Sequence, residues 1–421
     1  GVQPELRDAA RFLQLKSAAA QNDVPQTRVL LEQARSVNSS LLSYSLLTAA
    51  QMQASLDNRD EASQLLVEFR QQNPGAQLLA VAELENIRLT AAEGRWTEAV
   101  ALYNKWLEDH PGNALAQAVK LDRAWALAQS GQMLNARAAY GAIAKGNPPG
   151  RETYAAQMWL ADQAFHSKTN RLEAERGYLE IAGATNSPPH LRQRALFMAG
   201  RAAMVRQGVE GARKIFQDLL NDESLKMSGR IEATFALGDL TLIELGGGEE
   251  ETLGKLTQAT NAFHEIILES PTNAVAARAW GRIGDGCLLI SRDQPGYLSH
   301  AEDAYRKSLA LAEVAPVEVQ SQSHLGLANT LERSAAGVDA EARLNSAADH
   351  AMAVFYGRHL EAGEKVDAYW QTQSGFVAIR ILERLKRYRE AISLCDELAR
   401  LYPGLKNGLA ARRKRFEELQ E

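Results

Sequence analysis

The chain has 421 residues, with 47 Lys and Arg against 52 Asp and Glu for a formal charge of −5, and it is 45% apolar and 24% charged. This is a globular composition, neither disordered nor membranous; it lacks the basic field that nucleic-acid binding needs and any run of the roughly 18–20 apolar residues that spans a bilayer. Two cysteines, Cys287 and Cys395, cannot build a disulfide framework or a four-cysteine zinc site, and an N-terminus reading GVQPELRD, with Gly in place of Met, is expected to be a processed or engineered start that hides any removed leader or lipid anchor.

Apolar residues recur three and four apart almost throughout, as in Leu196-Phe197-Met198-Ala199 ahead of Ala202-Ala203, and no alternating strand pattern appears. The predicted fold class is all-α. Gly, Pro and Asn cut the runs into segments of about 12–16 residues, each marginal alone, so each must lay its apolar face on a neighbour. Pairs of such helices are predicted to begin near residues 4, 41, 78, 115, 154, 191, 229, 275, 317 and 365. The first pair, Pro4 to Asn38, lacks the Pro and Gly marks of the others. The following pairs carry Ala62, Leu66, Phe69, Pro74, then Ala99, Tyr103, Trp106, Pro111, then Ala136, Tyr140, Ile143, Pro148, with the three prolines 37 residues apart. The same register returns in Ala259, Phe263, Ile266, Pro271 and in Ala391, Cys395, Leu398, Pro403. The alanine lets two helix backbones approach, the large residue fills the same face one turn later, and the proline stops the helix. Gly94 and Gly131 mark tight turns inside pairs, while Gly200, Gly238, Gly284 and Gly326 sit in first helices where a partner must cross closely.

Three stretches, Leu245 to Glu251, Ser291 to Ser299 and Ser334 to Arg343, lengthen the turn within a pair and are expected to form loops on one rim, with Glu249-Glu250-Glu251 a solvated tip or a contact for a basic partner. A lone helix over 407–420 is expected to cap the chain, its Arg412-Arg413-Lys414-Arg415 either paired with Glu417 and Glu418 or turned to an anionic surface.

The ordered marks resemble the tetratricopeptide repeat (TPR) family, and the resemblance covers most of the chain. It implies a right-handed α-solenoid of about ten helix-turn-helix repeats, one continuous array over 1–406 with a bend near 222–230, and a capping helix at 407–421. Asp109-His-Pro-Gly-Asn113, Ser270-Pro-Thr-Asn273 and Leu401-Tyr-Pro-Gly404 are similar to phrases of bacterial envelope members, such as the TolA-binding coordinator and the lipoprotein of the outer-membrane β-barrel assembly machine. In the family, first helices line a concave groove. The positions implied to face it are Leu121, Trp159, Phe197 and Phe235, spaced 38 apart, and Trp125, Gln163, Arg201, Asp239 and Asp285. Aromatic anchors beside charges suit a peptide groove, the alternative being that the rings pack between neighbouring first helices. Family members that grip a terminal carboxylate place Asn straight after the packing glycine. Arg201, Asp239, Asp285 and Leu327 stand there instead, which argues against such a clamp.

No phosphate loop, nucleophile elbow, H-E-x-x-H or C-x-x-C is present. Gly281, Gly284 and Gly286 lie inside a predicted helix with no preceding strand, so they are read as packing glycines. Histidines are scattered, and nine residues on one helix would turn His350 and His359 apart, so no metal site is expected. Cys287 and Cys395 read as buried small hydrophobes. The expected function is a noncatalytic protein-interaction scaffold without cofactor or metal, binding a protein or peptide segment in bacterial envelope assembly, with a cytoplasmic adaptor as the other setting. The alternatives are a polysaccharide-processing enzyme or enzyme subunit using Asp239 and Asp285 as paired carboxylates, and a self-assembling structural subunit.

Overall fold

A computed structural model describes residues 4–72, 74–167, 170–206, 208–365 and 367–420, and among them are 21 α-helices, two short 3-10 turns and no strand. They divide into two compact units, residues 1–195 and 196–421. The first holds α1 (Pro4–Ala20), α2 (Val24–Ser36), α3 (Leu42–Ser55), α4 (Arg59–Gln71), α5 (Ala76–Ala92), α6 (Trp96–Asp109), α7 (Ala116–Gln129), α8 (Met133–Ile143), α9 (Arg151–His166) and α10 (Arg171–Gly183). Helix α11 (Pro189–Val205) spans the boundary. The second unit holds α12 (Val209–Leu220), α13 (Met227–Ile243), α14 (Glu249–Glu269), α15 (Ala274–Ile290), α16 (Tyr297–Leu309), α17 (Val317–Ser334), α18 (Ala340–Phe355), α19 (Ala368–Arg384), α20 (Tyr388–Leu401) and α21 (Lys406–Gln420). The first helix of each pair, the odd-numbered α1 to α19, begins within three residues of its predicted start. No helix among the described residues is long and apolar enough to cross a membrane.

The alanine mark lies in the core wherever it occurs. Ala62, Ala99, Ala136, Ala259 and Ala391 are fully buried, and so are Ala174, Ala212, Ala301 and Ala351, which precede Tyr178, Phe216, Tyr305 and Phe355 by one turn and extend the register to pairs where the proline is missing. The tight turn inside several pairs is made with a left-handed residue. Gly94 and Gly131 supply it at φ +78° and +80°, and Asn22, Asp57 and Lys386 take the same conformation in other pairs.

The first lengthened stretch differs in part from its expected form. Residues 245–248 do form the connection, but Glu249, Glu250 and Glu251 are the first turn of the 21-residue α14, where the amide ends favour carboxylates and Lys255 pairs with Glu251 at 2.7 Å. The other two connections stay short, residues 291–296 before α16 and a 3-10 turn, Gly337–Asp339, before α18.

The first-helix glycines are seats for rings. A Cβ on Gly200 would meet Phe216, one on Gly238 Phe263, and one on Gly284 Tyr305, each at 2.6–2.7 Å; Gly326 of α17 backs the same Tyr305. In an open helix Gly→Ala stabilises by about 1 kcal/mol. Here the Tyr305 ring is enclosed by two glycines and its hydroxyl is held by Asp285 at 2.8 Å, so it cannot swing away. Gly284→Ala is therefore expected to reverse that sign and destabilise by about 1–3 kcal/mol in urea unfolding; a variant more stable than wild type would show that the ring yields.

Candidate functional site

In the first unit, α5, α7, α9 and the start of α11 line a groove of about 880 Å³, and the second helices α6 and α8 push Trp96, Tyr103 and Tyr140 into it. Its floor is aromatic. Tyr103 and Tyr140 are buried, and the Tyr140 ring stacks on Trp159 at 4.1 Å with the planes 15° apart. Trp159 is thus fixed on one face and half-buried, while Trp125 is 49% exposed. Burial, reinforced by the nearby Asp122 carboxylate, raises the Tyr103 phenol, and the same two causes push Tyr140 up to about 12, so both remain neutral rings.

The charges of the groove are tied to one another. Arg88 of α5 donates to Asp122 of α7 at 2.8 Å, and Arg194 of α11 to Asp162 of α9 at 3.2 Å, with the Tyr178 hydroxyl also donating to Asp162. These are links of a ladder between successive first helices that Gln51 and Glu85 continue at 3.1 Å. Each salt link is partly exposed and adds little to stability, but it neutralises the charge it holds. What the groove offers a ligand is mainly indole face, with Leu121, Met158 and Gln163 beside it.

The structure therefore brings Trp125, Trp159 and Gln163 together, with Leu121, and adds Trp96, Arg88 and Asp122, which the sequence does not mark, and Tyr140, which it marks only as a packing residue. Trp96 and Arg88 lie outside the 38-residue line, and only the chain path shows that they converge on it.

The remaining expected groove residues belong elsewhere. Phe235 is buried, in edge contact with Phe263 at 5.1 Å and covered by the Arg278 guanidinium 3.8 Å above the ring, so it is a core residue that presents no face to a ligand. Phe197 is half-buried against Phe216, and Arg201 of α11 is exposed. Asp239 and Asp285 are occupied in the second unit's ladder: Arg282 lies between them, 2.6 Å from Asp239 and 2.7 Å from Asp285, and Tyr305 and Gln322 also donate to Asp285. Burial raises the Asp285 carboxyl, against the pull of Arg282 and the hydrogen bonds from Tyr305, Arg282 and Gln322. Farther along, the Glu332 carboxylate, itself buried, receives Arg380 from α19.

Every mark now has a place: small residue in the first helix, ring from the second, left-handed turn between them, ladder to the next pair. These are tetratricopeptide-like repeats. No protein-family model and no curated protein matches the sequence. Among solved structures the chain is similar to a tetratricopeptide repeat protein from Parabacteroides merdae, at 16% identity and a TM-score of 0.42 over 69% of this chain and 98% of that one. It is also similar to the human IFIT1 dimer with m7Gppp-AAAA, at 14% identity and a TM-score of 0.36 over 98% and 96%. These are distant likenesses, and the repeat packing stands without them.

Other chemistry-bearing residues of these repeats have structural partners. Cys287 and Cys395 are buried, which pushes both thiols up to about 11. Arg413 pairs with Asp396 and Glu417, Lys414 with Glu418 and Arg415 with Glu383, while Arg412 lies over the Phe376 ring, so the basic run of the last helix is knitted to its surroundings. The expectation that His350 and His359 point apart is corrected: α18 ends at Phe355, and the turn after it brings His359 back beside His324, which also meets His350. Among the described residues no group of three or more His, Cys, Asp and Glu side chains is arranged to hold a metal ion.

Proposed function

We propose that this chain is a noncatalytic interaction scaffold and that the groove of its first unit holds an extended peptide segment of low charge, rich in proline, aromatic or long aliphatic side chains. The observation that carries this is the convergence of Trp96, Trp125 and Trp159 over two buried tyrosines, in a groove whose cations and carboxylates are already paired. Flat rings immobilised from behind bind apolar side chains with little ordering cost, whereas paired charges give a charged ligand little to exchange. Nucleobases could stack on the same faces, but Arg88 and Arg194 are committed to Asp122 and Asp162 and leave little field for a phosphate chain. Paired-carboxylate catalysis at Asp239 and Asp285 is opposed by the Arg282 clamp between them. A role in bacterial envelope assembly rests on the short inter-repeat phrases alone.

The test is selection of a displayed random peptide library on the full chain. Trp125→Ala removes a half-exposed ring, so it should change folding stability by no more than about 0.5 kcal/mol and yet weaken the selected peptides by about 2 kcal/mol, roughly thirtyfold. Trp159→Ala should also lose binding, with some loss of stability from the broken stack on Tyr140. Peptides that bind both variants like wild type would place the ligand surface elsewhere, and selected sequences dominated by charge would overturn the apolar reading.

A further inference from the structure

In the second unit three histidines meet at the junction of α17, α18 and the connection that follows α18. The Nδ1 atoms of His324 and His350 are 2.9 Å apart, and the His324 and His359 rings meet edge to face at 5.5 Å. The contacts fix the proton pattern. His359 Nδ1 lies 3.2 Å from the Ala353 carbonyl and must donate to it, which leaves Nε2 to accept from the Ser321 hydroxyl of α17 at 2.9 Å. Of the two facing Nδ1 atoms, one donates and the other accepts. The arrangement is satisfied with all three imidazoles neutral. One further proton on the His324–His350 pair can sit on the donating ring and keep the shared N–H···N bond, but it places a cation among half-buried rings, and charging both sets N–H against N–H across 2.9 Å with a third ring beside them.

The surroundings do not compensate fully. All three rings are half-buried. The charges acting on them are Arg306 of α16, which disfavours a proton on His350, Asp349 of α18, which favours one there, and Glu364, which favours one on His359. Arg306 is itself paired with Glu302 at 2.7 Å.

We propose that His324, His350 and His359 form an acid-sensitive latch that holds residues 356–365 and the end of α18 against α17 at neutral pH and releases them in mildly acidic solution. The latch acts at a strategic joint, because the segment it fastens leads into α19, which packs on both α17 and α18. Burial and the neighbouring imidazoles push His324 down to about 3, and burial lowers His350 and His359 as well. The folded site therefore binds fewer protons than the open one. Its stability is complete above the unfolded histidine value of about 6.5 and falls as the pH drops below it.

The test is hydrogen–deuterium exchange of the full chain at pH 7.5 and 5.5, corrected for intrinsic rates. His324 alone should raise the opening equilibrium of residues 321–365 about tenfold between these values, and the other two imidazoles should add to that. Residues 42–71, which contain no histidine, serve as the internal reference and should change little. The double variant His324→Gln with His350→Gln keeps polar contacts without a titrating charge and should shrink the acid effect by about tenfold or more. Should that variant fail to fold, the wild-type imidazoles can be followed by NMR, and each should titrate below the unfolded histidine value of about 6.5. Equal protection of 321–365 at both pH values, an undiminished acid effect in a folded double variant, or a midpoint of 6.5 or above for any of the three rings would overturn the latch.

Discussion

Replacing Phe235 with Ala is expected to remove about 3–5 kcal/mol of folding stability, among the largest effects of any single truncation in the chain. The ring is 1% exposed, meets Phe263 edge-on and carries the Arg278 guanidinium on its face. Truncation leaves a void between α13 and α14, strips the Phe263 ring seated on Gly238 of a neighbour, and removes the cation–π partner of Arg278. The surrounding helices are tied by their own repeat contacts and cannot collapse fully into the space. Urea unfolding of the full chain, followed by circular dichroism, measures this directly. A repeat array need not unfold in one step, so the loss should appear as an earlier transition of the second unit rather than a uniform shift. Trp125→Ala is the matched comparison, since an equally large loss there would mean that the aromatic groove is core as well.

Arg282→Met is expected to cost about 3 kcal/mol at neutral pH, with a pH dependence that identifies the cause. The substitution keeps the length of the side chain while removing the cation that lies between Asp239 and Asp285 and holds both. The three side chains are 16–26% exposed, so neither carboxylate recovers much hydration when the guanidinium is lost. Burial already raises Asp285, and Arg282 is the largest influence opposing that shift, so its removal sends the carboxyl higher. For an acid whose folded value lies above its unfolded one, the folded state binds more protons, and stability is retained below the unfolded value of about 3.9 and lost as pH rises through the folded value. The stability gap between wild type and Arg282→Met should therefore be widest at pH 7 and narrow toward pH 4. A gap independent of pH would mean that Arg282 acts through packing of its stem alone.

The helix pairs could be read from the sequence because the information is local. The interval of four from Ala99 to Tyr103 and from Ala259 to Phe263 states which face of a second helix is buried, and Pro111 or Gly131 states where a helix stops or a turn begins. That Gly284 has a close neighbour could be inferred, since a glycine inside a helix forgoes about 1 kcal/mol of propensity, but that the neighbour is the Tyr305 ring is seen only in the structure. The glycines after Leu245 form a connection as their sequence predicts, but nothing local says that Glu249, Glu250 and Glu251 beyond them start the next helix rather than extend the loop.

Which aromatic faces the groove and which faces the core was decided only by the tertiary structure. Trp159 and Phe235 occupy the same repeat position, yet Trp159 rests on Tyr140 with the groove before it, while Phe235 is sealed by Phe263 and by Arg278, which stands 43 residues later in the chain. The exposure of a first-helix side chain depends on what the adjacent repeat lays over it, and repeat lengths vary: the ladder links Arg88 to a residue 34 positions on, but Asp239 to one 43 positions on. The histidine cluster has the same origin, because His324 and His359 lie 35 residues apart and meet only where α18 ends and the chain turns back. The sequence by itself determined the repeat and its buried face, through contacts within a few turns of helix. The groove, the ladder and the latch arise from contacts between repeats, whose register depends on the length of the intervening chain and on side chains whose packing no local period specifies.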